Sequence, residues 1–256
     1  MDQQTEKPAK CRPEKEKMDA LARLSSKVAH DLNNVLGAIE GYATLAMGPL
    51  RAEDPLKQDL QEIRTAVAKA AGFNRQLLVF SGRQMLNRKP TSVNEIIGEL
   101  LKKEAGSPAV NIKFEASLQP DLPGIIADQD YLSQAISALL ANARAAMPEG
   151  GTVAVVSSLL RIEGKEAGSP KPEEAGTEFI KISIKDTGVG ISAADLEHLF
   201  EPAYLTQGRK RGAGLGGLAM VYGVVKQHNG WVEAISAPGR GSEFLVFIPA
   251  ANGKAA

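Results

Sequence analysis

The chain has 256 residues, 43% hydrophobic and 23% charged, and its 30 basic and 30 acidic residues give zero formal net charge. That balance lends no support to nucleic-acid binding or a polybasic membrane anchor, and the length suits one large domain or two smaller ones. No apolar run approaches the roughly 18 residues of a membrane span, the N-terminus lacks a signal-peptide-like core, and the single cysteine, Cys11, has no disulfide or metal-ligand companion. These features predict a cytoplasmic protein.

Residues 1–17 are nearly all charged, polar or proline, which predicts a solvated tail or short helical lead-in. An apolar seam then runs through Leu24, Val28, Leu32, Val35, Ile39, Tyr42 and Ala46, at the three-and-four spacing of a helix-bundle contact. The stretch "MGPLRAEDP" breaks it with Gly48, Pro49 and Pro55. A second seam follows through Leu56, Leu60, Ile63, Val67, Ala70, Asn74 and Leu77. Two such helices form an antiparallel hairpin over residues 18–85. The hairpin cannot enclose a core alone, so the pattern predicts a homodimer forming a four-helix bundle. Asn74, polar on its seam, is expected to cost stability while fixing register.

Inside the first helix, "VAHDLNNVL" (Val28–Leu36) places His30, Asp31, Asn33 and Asn34 where helix interiors disfavour Asp and Asn. His30 lies two residues past Val28, about 200° around the helix, and so faces solvent. Asn34, one turn on, shares its face, and Gly37 and Gly41 keep that face shallow enough for close approach by another domain.

After a linker at 86–90, the periodicity changes. A helix fits "VNEIIGELLKKE" behind a cap at Thr91 or Ser92. Strand-like runs are "VNIKFEASL", "GIIA", "TVAVVSSLLRI", "EFIKISIKD", "WVEAISA" and "EFLVFIP", with helices expected at 129–147, 193–200 and 215–228. Residues 163–178 read as a polar insertion between two strands, and 251–256 as a C-terminal tail. Residues 91–250 therefore form one α/β domain behind an all-α module.

Two glycine clusters punctuate it. "KDTGVGIS" (Lys185–Ser192) ends a strand, where Gly188 and Gly190 permit positive φ and close ligand approach, and Asp186 can accept from an exocyclic amine. "GAGLGG" (Gly212–Gly217) opens the helix 215–228, whose free N–H groups suit phosphates. For either cluster alone a plain turn is an equally good reading. His198 reads as a surface residue, and His228 as a cation at a helix end, where the dipole favours it by ~0.3–1 kcal/mol.

The order carries more than either motif: the "HDLNN" box, "LLANARAAMPEGG", "DTGVGIS", "HLFEPAYLTQ" and "GAGLGG". In that order, from Leu21 to Pro249, the chain resembles the histidine kinases of two-component systems. The hairpin is similar to their dimerisation and phosphoacceptor domain, and the rest resembles the GHKL-type (Bergerat) ATP-binding sandwich with a mixed sheet, shared with gyrase and MutL. The resemblance implies ATP and Mg²⁺ as cofactors, with His30 as phosphoacceptor, Asp31 orienting its ring, and Asn34 positioning a water or the partner's aspartate. It also implies Asn142 as the Mg²⁺ ligand, Asp186 reading adenine with Ser242 nearby through a water, Gly188 and Gly190 shaping the base pocket, and Phe200 at the hinge of an ATP lid over 202–213. Gly212, Gly214, Leu215 and Gly216 follow at the phosphates.

Departures from the family pattern are Ala138 and Ala145 in the asparagine motif, Gln207 in the lid and Gly217 in the last glycine motif. The implied function is autophosphorylation of His30 and transfer to an aspartate on a response regulator receiver domain, with regulator dephosphorylation as a second activity. A separate sensor protein is a further partner the resemblance allows. The alternatives are a histidine phosphotransfer protein and a pseudokinase scaffold, against which intact "DTGVGIS" and Asn142 argue. A gyrase- or MutL-like ATPase is disfavoured because no transducer domain follows residue 250.

Overall fold

Residues spaced in threes and fours along 15–47 form one long helix, α1 (Lys15–Met47). The computed structural model describes residues 8–51, 54–82, 85–105, 111–162, 178–202 and 217–251. A turn at Gly48 and Pro49 ends α1. Asp54 then caps α2 (Pro55–Phe80), its side chain accepting from the Leu56 N–H. Pro55 occupies the first turn, where a missing N–H is harmless. The two helices make up one compact unit, Glu16–Gln84; the other combines the chain before Glu16 with the chain from Met85 onwards.

Within the hairpin, α1 buries Met18, Ala22, Ser26, Ala29, Leu36 and Ala43, and α2 buries Val67, Asn74, Val79 and Phe80. Arg64 Nε donates to Glu40 Oε1 at 2.8 Å across the pair. The larger aliphatics of the expected seam do not fill this contact. Leu24, Val28, Val35, Ile39 and Tyr42 are exposed, as are Leu56 and Ile63. Small residues let helices approach closely. α1 accordingly carries a second, larger apolar stripe that nothing in the described single chain covers.

In the other unit, β1 (Ala9–Cys11), β3 (Ile112–Leu118), β5 (Gly151–Arg161), β6 (Glu178–Asp186), β7 (Trp231–Ser236) and β8 (Ser242–Pro249) join one six-stranded sheet of order β1-β7-β8-β6-β5-β3. β3 runs parallel to β5 and the other pairings are antiparallel, so the sheet is mixed as expected. A two-stranded sheet pairs β2 (Lys89–Thr91) with β4 (Ile125–Ala127). Helices α3 (Val93–Ala105), α4 (Gln129–Ala145) and α6 (Leu218–Gln227) pack on the sheet and on each other, giving an α/β sandwich; α5 (Ala193–Glu197) is short. The core combines Ile96, Ile97, Leu132, Ile136 and Leu139 from the helices with Val153, Val155, Ile182 and Ile184 from the strands.

The expectation of a solvated lead-in is corrected at residues 9–11. They form β1 (Ala9–Cys11), paired with β7 from Ala9↔Ser236 to Cys11↔Ala234. Lys10 Nζ lies 2.9 Å from the buried Glu233 carboxylate, and Arg12 sits over Trp231, 5.6 Å from its ring centroid. Trp231 stacks on Phe247 at 4.4 Å. Polar residues here are attached by main-chain pairing, which an unpaired sheet edge invites. Burial, and secondarily the charge of Glu197, raises the Cys11 thiol pKa, so the thiolate is disfavoured.

Candidate functional site

Where β6 ends, Asp186 is buried, and two main-chain donors converge on its Oδ1: the N–H of Gly188 at 2.8 Å and of Ser242 at 3.2 Å. Oδ2 receives no hydrogen bond from the described residues. Burial raises the Asp186 pKa above the ordinary carboxylate value, and the two N–H contacts oppose that with smaller effect. The carboxylate is thus rigidly aimed, with one oxygen ready for a donor. Ser242 meets Asp186 through its main chain, while its hydroxyl lies 3.1 Å from Ser236 Oγ.

The glycines around Asp186 answer to protein packing. A Cβ at Gly188 would lie 2.6 Å from the Ala146 carbonyl oxygen, and one at Gly190, where φ is +71°, would strike the Ala237 carbonyl at 2.0 Å. The expected positive φ is found at Gly190, and at both positions neighbouring main chain already leaves no room for a side chain. The close fit seats this loop on the end of α4, where Val189 N–H donates to Ala146 O.

One turn before Ala146, α4 presents Asn142. It is 7% exposed, and neither its Oδ1 nor its Nδ2 has a partner among the described residues. A buried amide with both ends unused is costly, about 1–3 kcal/mol for each orphaned group. A cation on Oδ1 or a ligand oxygen on Nδ2 removes that cost, so Asn142 fits the Mg²⁺–triphosphate role. No cluster of three or more His, Cys, Asp or Glu among the described residues offers another metal site.

The start of α4 is fixed by residues that sequence patterns did not single out together. Asp128 caps it, Oδ1 accepting from Asp130 and Tyr131 and Oδ2 from the Asn87 N–H. Asp128's own N–H donates to His228 Nε2 at 2.9 Å, and His228 Nδ1 lies 2.7 Å from the Val224 carbonyl. A carbonyl only accepts, so Nδ1 carries the proton and Nε2 is the acceptor. His228 is therefore a buried neutral residue whose pKa is lowered by burial, which corrects its reading as a helix-end cation. His198, partly exposed, has Nδ1 2.8 Å from Glu201 Oε1.

Phe200 is buried just before Pro202. Gly212, Gly214, Leu215 and Gly216, with most of the expected lid and Gln207, lie outside the described residues. Gly217, at the start of α6, explains another departure. A Cβ there would lie 2.7 Å from the Ala138 Cβ, so the two unusual small residues are one close helix contact.

In the hairpin unit, His30 and Asp31 have side chains 76% and 69% exposed, with Nδ1 and Oδ1 3.6 Å apart. That separation is longer than a hydrogen bond. Asn34 is exposed one turn along, and added Cβ atoms at Gly37 and Gly41 would meet nothing within 4 Å. Asn33 differs: it is tied to α2 through Asn74.

Residues 127–252 match the histidine kinase-, DNA gyrase B- and HSP90-like ATPase family. Sensor kinase CckA of Brucella abortus is 35% identical over 238 residues, covering 91% of this chain and 25% of that protein. Sensor histidine kinase ZraS of Escherichia coli is 32% identical over 242 residues, 92% of this chain and 47% of that protein. The sensory histidine kinase/phosphatase NtrB of Rhodobacter capsulatus is 28% identical over 89% of this chain and 62% of that protein. The chain thus spans from a quarter to under two thirds of these relatives. Full-length ShkA in complex with AMPPNP superposes with a TM-score of 0.57 at 22% identity, covering 92% of this chain and 46% of that one. Histidine kinase ThkA in complex with response regulator TrrA does so at 0.54 and 20%, covering 93% and 64%. At those identities the likeness is one of fold. The chain belongs to the sensor histidine kinases of two-component systems, and its second unit carries their ATPase-type domain.

Proposed function

We propose that this chain is an ATP-dependent protein histidine autokinase that phosphorylates His30 and passes the phosphoryl group to an aspartate of a response regulator receiver domain. The observation that carries the reading is the buried Asn142 amide with both polar ends unused, on the helix against which the Asp186 loop is seated. Asp186 Oδ2 accepts from the adenine amine while Oδ1 stays held by Gly188 and Ser242. Asn142 Oδ1 holds Mg²⁺, which neutralises triphosphate charge when bound. Near-neutral composition and the absence, among the described residues, of a helix long and apolar enough to cross a membrane are compatible with work in the cytoplasm.

At the acceptor, Asp31 keeps His30 Nδ1 protonated, so Nε2 carries the lone pair. Nε2 attacks the γ-phosphorus, the P–N bond forms, the bond to the β–γ bridging oxygen breaks, and ADP leaves. The phosphoryl group then moves to a regulator carboxylate, restoring the imidazole. The exposed position of His30 suits both encounters. The uncovered stripe Leu24, Val28, Val35, Ile39 and Tyr42 supports a homodimer, in which a second copy of the hairpin completes a four-helix bundle.

Asn34 supports a second activity. Its amide orients a water but cannot act as His30 does, so it assists regulator dephosphorylation. NtrB, named as both kinase and phosphatase, is a relative consistent with that pairing. Incubation with γ-labelled ATP and Mg²⁺, followed by acid and base treatment, tests the main reading. Label lost in acid and kept in base supports it; base-labile label or none contradicts it.

A further inference from the structure

Asn74 is fully buried on the α2 face that holds α1, among positions otherwise filled by Val67, Val79 and Phe80. Its Nδ2 donates to the Ala29 carbonyl and to Asn33 Oδ1, each at 2.6 Å. The Ala29 oxygen can only accept, so the amide orientation is forced and both Nδ2 hydrogens are spent. Asn33 must then present its oxygen to Asn74 and turn its own NH₂ away. Asn74 Oδ1 is buried with no partner. Leucine at this site would avoid the desolvation cost that an orphaned buried acceptor carries.

The two acceptors flank one residue of chemical interest. Ala29 immediately precedes His30, and Asn33 follows it by three, so a single α2 side chain grips the α1 turn that carries the phosphoacceptor. A buried asparagine in a helical seam is a known way of fixing register at a cost in stability. Register and rotation matter here because side-chain tips ride about 5–6 Å from the helix axis. A rotation of about 10° at that radius moves the imidazole by about 1 Å, a displacement that can cost about a hundredfold in rate.

We propose that Asn74 is a positioning residue for His30, setting the rotation of α1 through the Ala29 carbonyl and Asn33. It touches neither ATP nor the reacting atoms. The proposal rests on the histidine kinase reading above and deepens it. It also distinguishes the two asparagines of "HDLNN", both exposed: Asn33 is hydrogen-bonded to Asn74 on α2, and Asn34 is not.

The test uses the full chain with Asn74→Leu and Asn33→Ala. For each, the first-order rate of His30 phosphorylation at saturating ATP, the ATP concentration giving half that rate, and Tm are measured. Asn74→Leu is expected to keep or raise Tm, leave the half-saturating ATP concentration within twofold, and slow phosphorylation at least tenfold. Asn33→Ala, which keeps the Ala29 contact, is expected to slow it several-fold. A wild-type rate in Asn74→Leu overturns the proposal, as does a loss of rate that merely follows a lower Tm. If Asn74→Leu does not fold, Asn33→Ala decides: slower phosphorylation at unchanged Tm and ATP dependence supports the grip, and a wild-type rate overturns it. Absence of label on the unsubstituted chain overturns the kinase reading, and this proposal with it.

Discussion

His30 keeps 76% of its side chain in solvent and stands 3.6 Å from the equally open Asp31, whereas Asp186 is buried and pinned through one oxygen by two main-chain N–H groups. On the proposed function, the contrast follows from what each centre must meet. A nucleotide is small and enters a prepared site, so rigidity and desolvation sharpen recognition. A phosphoacceptor must meet a catalytic domain and then a regulator, and a surface patch on a rigid helix admits both. In the hairpin, order is supplied by contacts between α1 and α2, the Asn74 hydrogen bond to Ala29 and the Arg64–Glu40 pair.

The largest effect is expected at the exposed apolar stripe of α1. If a second copy covers the α1 stripe, Val35→Glu with Ile39→Glu removes four apolar side chains from a symmetric interface. At about 1.5–3 kcal/mol each, dimerisation should weaken on the order of ten-thousandfold or more. Light scattering at micromolar concentration should report a monomer. An unchanged mass would mean that the stripe is not the interface.

On the buried side, Asp186→Asn should retain the Gly188 and Ser242 contacts on its oxygen while placing an NH₂ group where Oδ2 faces adenine's donor. Losing a charge-assisted bond of ~1.5–3 kcal/mol lowers ATP affinity about tenfold or more, measurable by calorimetry. Stability should not fall with it. The folded pKa of Asp186 is raised, so its contribution to stability is lost as pH rises from 3.8 through the folded value, and at neutral pH the buried charge is a net cost. On the proposed function, Asn142 with its orphaned amide is likewise kept at a cost for its ligand.

A several-fold effect should separate two neighbours on the open face. Asn34→Ala is expected to slow loss of phosphate from the regulator while leaving His30 labelling largely intact. Asp31→Asn should do the reverse, because only the carboxylate stabilises charge on the attacking imidazole. Labelling lost in Asn34→Ala with dephosphorylation unchanged would contradict this division.

The smallest effect lies at the start of α4, where His228 meets Asp128. His228 is neutral in the fold and its pKa is lowered, so its contribution is fully present above 6.5, the ordinary value, and is lost as pH falls below it. Protonation of Nε2 would abolish the contact with the Asp128 N–H. Tm should therefore drop by a few degrees between about pH 7 and 5, and less steeply in His228→Gln. Equal slopes would remove His228 as the cause.

Which parts of this were legible in sequence follows from the strength of each local signal. β5, β6 and β8 are long runs of β-branched and aromatic residues, and each is readable. β2 is the three residues "KPT" with proline at its centre, and β1 is "AKC" inside a polar tail; both are defined by a partner strand, which no local pattern reveals. The exposure of His30 follows from helical period. The small-residue stripe Ala22, Ser26, Ala29 and Ala43 does not, because hydrophobicity alone favours the larger aliphatics that face outward. Asn74 is visible as an anomaly on a seam, but its two acceptors are visible only in three dimensions. The pairing of Ala138 with Gly217 is likewise a contact between distant segments.

On the proposed function, nucleotide binding and phosphoryl acceptance reside on separate residues of separate units. Labelling from γ-labelled ATP and calorimetric ATP affinity, measured together on the full chain and on His30→Gln, test this separation most directly. Wild-type affinity with no acid-labile label is expected of His30→Gln. Persistent label on that variant, or loss of its ATP binding, would contradict it.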